Sequence, residues 1–212
     1  SILHLYEDYG FDCVHHLRGM FAFALWDTKK KVLLLARDRM GEKPLYLWEQ
    51  EGILYFASET KALLAGLKQR PKLDPEAVDL FFHWNYVPEP GTILQGVRKL
   101  PAGHFLIIDV EPWRVLQNKY WDMVAAPPLE GDPINDIRAE LERISEIIIR
   151  SDVPVGIALS GGIDSGALAA LTADKYPGKM HAFTIGYEGR PGSDEREQAC
   201  ELAKHLGMPF HE

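Results

Sequence analysis

The chain has 212 residues, 46% of them hydrophobic and 25% charged, with a net charge of −8. That composition fits one large or two modest globular cores and argues against a disordered or membrane-embedded protein. The acidic balance argues against broad binding along a nucleic-acid backbone, while leaving room for a local basic site for a phosphorylated ligand.

Ile2, Leu3, Leu5 and Tyr6 have helical spacing from the outset, with no capping residues before them, so the chain reads as an internal piece of a longer protein. Gly19–Asp27 alternates large and small side chains, Thr28–Lys31 is polar and Val32–Ala36 is apolar again, the pattern of a β-hairpin. A second pair, Pro44–Trp48 and Ile53–Ala57, is joined across the polar Glu49–Gly52. Four consecutive strands predict one antiparallel sheet. Thr60–Gly66 is a short helix, Asp74 with Pro75 and Glu76 caps and starts another, Val87–Gly91 is loop, and Phe105–Asp109 returns to strand.

From Trp121 to Pro133 the residues turn to Pro, Gly, Ala and acids, the composition of a linker. Two domains are expected, 1–124 and 134–212. Ile137, Leu141, Ile144, Ile147 and Ile148 form a helical stripe. Val155–Leu159 is then a short apolar strand, Ser160–Gly162 a turn, Ala167–Lys175 a helix and Lys179–Ile185 a second strand, which together predict a right-handed βαβ unit in a parallel sheet. Met208–Glu212 reads as the start of another strand.

Two adjacent glycines between a buried strand and a helix let backbone N–H groups converge on an anion with no Cβ in the way, and the helix N-terminus adds partial positive charge. Ser160 and Ser165 can donate hydroxyls to phosphate oxygens. Asp164 would repel a bare anion and so suits a ligand of phosphate-bound Mg²⁺. The string Leu159-Ser-Gly-Gly-Ile-Asp-Ser165 lacks the lysine of a Walker A loop and the Gly-x-Gly-x-x-Gly of dinucleotide folds. It predicts a site for a metal-chelated pyrophosphate.

Ser151-Asp-Val-Pro-Val155 followed by that loop resembles the start of the synthetase domain of glutamine-dependent asparagine synthetases. In that family the loop binds the pyrophosphate of ATP, and an acyl-adenylate forms that ammonia attacks. Phe183-Thr-Ile-Gly186 is similar to the family's next strand, where backbone groups contact adenine. The resemblance therefore implies ATP and Mg²⁺ as cofactors. It implies Leu159, Ser160, Gly161, Gly162, Asp164, Ser165, Ile185 and Gly186 as the nucleotide site, with Asp164 on the metal; Leu159 and Ile185 read equally well as ordinary core residues.

Gly19–Asp27, Arg37-Asp-Arg-Met-Gly41, Lys43-Pro-Leu-Tyr46, Ala57-Ser-Glu59 with Lys61-Ala-Leu63, and Leu100-Pro-Ala-Gly103 resemble the later strands of the same family's N-terminal-nucleophile glutaminase domain. The implied fold is α+β followed by α/β: the C-terminal part of a glutaminase sandwich, then the first βαβ unit of a PP-loop parallel sheet.

The family's glutaminase nucleophile is an N-terminal cysteine assisted by its own amino group, and neither Ser1 nor the internal Cys13 can take that role. The resemblance places the glutamine-holding residues before Ser1 and the acidic loop and lysine that complete adenylate formation beyond Glu212, so no catalytic residue is expected in this chain. The expected partners are ATP, glutamine and aspartate, with no nucleic acid and no membrane, and with a homodimer compatible with the pattern; the expected location is the cytoplasm. Two other readings compete: a nucleotide-binding module without turnover, or a related amidotransferase or cyclase acting on another carboxylate. A third, a gene remnant that folds poorly, is separable by protease resistance.

Other candidates read as structural. Cys13 and Cys200 are too few for a disulfide framework or zinc knuckle and read as buried free thiols. His15 and His16 are adjacent, point apart and read as surface histidines. Arg37 and Asp38 read as an ion pair at the sheet edge, Lys29–Lys31 as a hairpin tip, and Asp194 with Glu195 as a solvated helix start.

Overall fold

The computed structural model describes residues 1–67, 69–186 and 194–212, which form two compact units, Ser1–Pro127 and Pro128–Glu212. The first opens with α1 (Ile2–Tyr9) and a 3-10 turn, Gly10–His16. The hairpin of β1 (Ala22–Asp27) and β2 (Val32–Arg37) follows. Its lysine tip is held by the Asp27 carboxylate, which accepts the N–H groups of Lys29 and Lys30 at 2.9 and 2.8 Å. A second hairpin joins β3 (Tyr46–Gln50) to β4 (Ile53–Ala57) through Glu51 and Gly52, both at positive φ, the twist that matches paired strands. Then come α2 (Thr60–Ala65), α3 (Pro75–Trp84), β5 (Arg98–Lys99), β6 (His104–Val110) and β7 (Trp113–Lys119). Helix α3 starts where expected, with the Asp74 carboxylate accepting from the Glu76 and Ala77 N–H groups and Pro75 at its first position.

The two hairpins do not share a sheet, which corrects the single-sheet expectation. One antiparallel sheet has the order β1-β2-β6-β7 and the other β4-β3-β5. The reason is the competition for β2. Its side chains are apolar on both faces, so its free edge pairs with the equally apolar β6, with Leu34 opposite Ile107 and Leu35 opposite Leu106. Alternation then sorts the core into layers. Leu25, Leu34, Ala36 and Phe105 pack beneath α1 and the 3-10 turn, with Cys13 and Val14. Leu35, Leu106 and Ile108, facing the other way, meet Leu47 of the second sheet and Leu45 and Leu100, which flank its strands β3 and β5. Trp48, on the far face of β3, packs with Leu63 of α2 and Val97. The layer order is helix, sheet, sheet, helix. Each of the fully buried leucines contributes roughly 2 kcal/mol of apolar burial.

Strands β5 and β7 have no counterpart in the sequence reading. Strand β7 is an edge whose residues are nearly all exposed, so no apolar alternation marks it.

The second unit begins with α4 (Pro133–Ile148), capped by Asp132. It continues through β8 (Gly156–Ala158), α5 (Ile163–Ala173), β9 (His181–Phe183), α6 (Arg196–His205) and β10 (Phe210–His211). The three strands are parallel, in the order β10-β9-β8. Ile157, Leu159, Met180, Ala182 and Met208 form a core with Ala169 of α5 and Ala199 and Ala203 of α6, small residues that let the helices lie close to the sheet. Helix α4 is tied to the segment just after α5 by Lys175, whose ammonium donates to the Glu142 carbonyl at 2.7 Å and the buried Ser145 hydroxyl at 3.0 Å. Its stripe of Ile137, Leu141, Ile147 and Ile148 remains exposed. Among the described residues no helix is long and apolar enough to cross a membrane.

Candidate nucleotide-binding loop

Strand β8 delivers the chain to the loop. Ile157 and Leu159 point into the core, and the Leu159 N–H donates to the Phe183 carbonyl at 2.8 Å, so the pairing of β8 with β9 runs to the residue before Ser160. Helix α5 begins at Ile163 with Gly162 as its N-cap. It starts four residues earlier than expected, because Asp164 in its first turn favours the positive end of the helix. Asp164 and Ser165 are therefore helical, and the turn proper is Ser160-Gly161-Gly162.

The two serines close it. Their hydroxyl oxygens lie 2.8 Å apart. The Ser160 N–H donates to the Ser165 hydroxyl at 3.2 Å, and the Gly162 N–H donates to the Ser160 hydroxyl at 3.2 Å. The Gly161 N–H donates to a carboxylate oxygen of Glu195, just before α6, at 3.3 Å. A Cβ on Gly161 would lie 3.0 Å from Gln198 Cβ and 3.3 Å from Glu195 Cβ, so the α6 start approaches the loop as closely as glycine permits. Asp164 is exposed and has no hydrogen bond or ion pair among the described residues.

The residues that follow β8 and β9 divide. Leu159 is only 2% exposed and belongs to the core, whereas Ile185 is 81% exposed, so the core reading fails for Ile185. Gly186 lies under Arg196, and a Cβ there would fall 2.1 Å from Arg196 Nε. Arg196 is fixed by Asp194, its Nε donating to both carboxylate oxygens at 2.8 and 3.0 Å. That hydrogen bonding holds the Asp194 carboxyl down to about 2. Arg196 also reaches Glu212 at 3.5 Å.

The acidic pair is thus not merely a solvated helix start: Asp194 is locked to Arg196 and Glu195 reaches the loop. The sequence signal for both was the run Asp194-Glu195-Arg196, two carboxylates and a guanidinium in consecutive positions. A groove of about 600 Å³ along α6 is lined by Asp194, Arg196, Glu197, Cys200, Glu201, Lys204 and Glu212. Its four acids outnumber its two bases and none of the loop residues line it, so it suits an anion less well than the loop does.

Among the described residues the first unit offers no comparable centre. Cys13 is fully buried, and burial pushes its thiol up, which makes it a poor nucleophile. His15 and His16 are exposed and diverge, one edge-on to Tyr120 and the other stacked on Tyr9. No group of three or more potential metal ligands occurs among the described residues.

Arg37 and Asp38 are not an edge ion pair. Strand β2 is internal and the two residues are 2% and 1% exposed. Arg37 donates to both carboxylate oxygens of Glu89 at 2.9 Å and to the carbonyls of Lys43 and Leu100 at 2.8 and 2.6 Å. Asp38 accepts the backbone N–H groups of Phe21, Met40, Glu42 and Lys43 at 3.0–3.2 Å. Together they pin the crossover between the sheets.

Family models agree with this division. A glutamine amidotransferase domain matches residues 1–121 and an asparagine synthase domain matches residues 136–212. The chain belongs to the glutamine-hydrolysing asparagine synthetase family. It is 35% identical to a putative asparagine synthetase of Methanocaldococcus jannaschii over 89% of its length, which is 38% of that protein. It is 38% identical to a putative asparagine synthetase of Mycobacterium tuberculosis over 98% of its length, 33% of that protein. It is also 34% identical to an amidase, chyE, of Penicillium rubens over 99% of its length, 33% of that protein. The chain spans about a third of the length of these relatives. Within the asparagine synthetase family, then, it carries an amidotransferase portion followed by the beginning of a synthase portion.

Proposed function

We propose that the protein to which this chain belongs makes an amide from aspartate, glutamine and ATP, releasing asparagine, glutamate, AMP and pyrophosphate through a β-aspartyl-adenylate. The first unit is the C-terminal part of an N-terminal-nucleophile glutaminase sandwich, and the second is the opening of a PP-loop sheet that takes ATP. The observation that supports this reading is the loop between β8 and α5, where three backbone N–H groups and two hydroxyls cluster over a helix N-terminus beside an exposed carboxylate.

The donor set fits a metal-chelated pyrophosphate. Ser160, Gly161, Gly162 and Ser165 supply neutral donors to phosphate oxygens, and Asp164 is a hard oxygen ligand of the kind Mg²⁺ takes. When bound there, Mg²⁺ would neutralise the pyrophosphate as it leaves. Backbone donors already fixed by β8 and α5 stabilise the same charge without reorganising. Leu159, through its backbone, and Ile185, just past the ends of neighbouring strands, flank the place where the adenine would lie, with Gly186 beside them under Arg196.

The deciding experiment is pyrophosphate release by the full-length protein with MgATP and glutamine, with and without aspartate. Aspartate-dependent release is the expected result, and the 212 residues alone should release none. Nucleotide binding without turnover would leave a binding module. The similarity to the Penicillium amidase favours a second reading in which the acceptor is another carboxylate; release that aspartate fails to stimulate but another acid does would establish it.

A further inference from the structure

We propose that Glu195 is a resident anion of the loop, holding with its carboxylate the Gly161 N–H that a phosphate oxygen would take. This rests on the nucleotide reading of the loop. It concerns how that site discriminates between a bare and a metal-chelated pyrophosphate.

The contact is specific. Glu195 is the residue before α6 and makes no capping hydrogen bond to its own helix; instead its carboxylate crosses to Gly161. The backbone there is close enough that Gly161 tolerates no side chain without moving Glu195 or Gln198. The neighbouring carboxylate, Asp194, is neutralised by Arg196 and cannot substitute. The Gly161 N–H is a single donor, so a phosphate oxygen that takes it at full strength displaces the carboxylate, and binding exchanges one anion for the other. Glu195 is exposed, so the displaced carboxylate can turn into water with little desolvation cost.

The charge sets the consequence. With Asp164 in the first turn of α5, two carboxylates border the loop, and both oppose a metal-free polyanion. A metal-chelated one, carrying less net charge, is opposed less. Glu195 is therefore a positioning residue: it keeps the Gly161 N–H oriented and disfavours unchelated phosphates relative to chelated ones.

The test measures binding of inorganic pyrophosphate in EDTA, and separately of MgATP, to the full-length protein by calorimetry, for wild type, Glu195→Gln, Glu195→Ala and Glu197→Gln. Removing one like charge at hydrogen-bond range should tighten metal-free pyrophosphate about fivefold in both Glu195 variants. The gain for MgATP should be smaller, and Glu197→Gln should behave as wild type. Unchanged or weaker pyrophosphate binding in Glu195→Gln overturns the proposal. So does loss of MgATP affinity in that variant, which would make Glu195 a metal ligand, and so does an equal gain in Glu197→Gln, which would reduce the effect to bulk charge. If wild type binds neither pyrophosphate nor MgATP, the nucleotide reading itself fails; if it binds them and Glu195→Gln is no tighter, only the present inference fails.

Discussion

Two places in the molecule use a carboxylate to gather backbone N–H groups where a strand ends. In the first unit Asp38 collects four of them behind β2, sealed from solvent beside the equally buried Arg37. In the second, Glu195 takes one N–H of a loop whose other donors are shared between two half-buried serine hydroxyls, with Gly161, Gly162 and Glu195 themselves exposed. The chemistry is the same and the outcome differs. A saturated network out of reach of water can only be architecture, because any exchange of partners first exposes a buried charge. A saturated network at the surface can trade partners, which is what a binding site needs.

The comparison can be broken most sharply at Arg37. Arg37→Ala removes the bidentate partner of Glu89 and leaves the carbonyls of Lys43 and Leu100 without their donor, so urea unfolding should show a loss of about 3–5 kcal/mol. Nucleotide affinity should not change. Asp38→Asn should cost about 2 kcal/mol, since an amide cannot accept all four N–H groups.

The same residue sets an acid limit. Burial acts to raise the Asp38 carboxyl, but the N–H groups of Lys43, Glu42, Phe21 and Met40 outweigh it and hold it below its usual 3.8. A lowered folded value means that the stabilisation is fully present above the unfolded value and drains away as pH falls through the folded one. Acid unfolding followed by near-UV circular dichroism should therefore steepen below about pH 4, and Asp38→Asn should flatten that limb.

At the loop the signs reverse, with small changes in stability and large ones in binding. Gly161→Ala forces the start of α6 back by a few tenths of an ångström, which should cost under about 1 kcal/mol in stability. It should weaken MgATP about tenfold by moving the donor. Ser165→Ala removes a hydroxyl shared with Ser160 and should lower stability by only about 0.5 kcal/mol, with a several-fold loss of MgATP affinity in the same titration. A Ser165→Ala protein that unfolds as readily as Arg37→Ala would erase the distinction between the two networks.

How much of this was legible beforehand follows from the range of each signal. The α3 start was readable because Asp74, Pro75 and Glu76 act within one turn, and the hairpin tips because their residues are contiguous. The division of the hairpins between two sheets was not, because β2 had to choose between β3 and β6, and nothing local in Val32–Arg37 expresses that preference. Strand β7 carries too little buried surface to leave a pattern. At the candidate site, the loop was visible as a string, but its link to Glu195 joins residues 34 positions apart and depends on how α6 returns to the sheet. Ile185 shows the converse: from the sequence it read equally well as core or as a nucleotide contact, and only its exposure in the fold decides against core.

Strands β2 and β6 each have a neighbour on both sides and supply side chains to both of the layers that sandwich their sheet. Neither of the two cores that face this sheet can open without tearing that one pair of strands. Hydrogen exchange in this unit should accordingly show its slowest amides from Leu33 to Ala36 and from Phe105 to Ile108, all leaving at a single rate with global unfolding, while the outward-facing amides of β7 exchange long before.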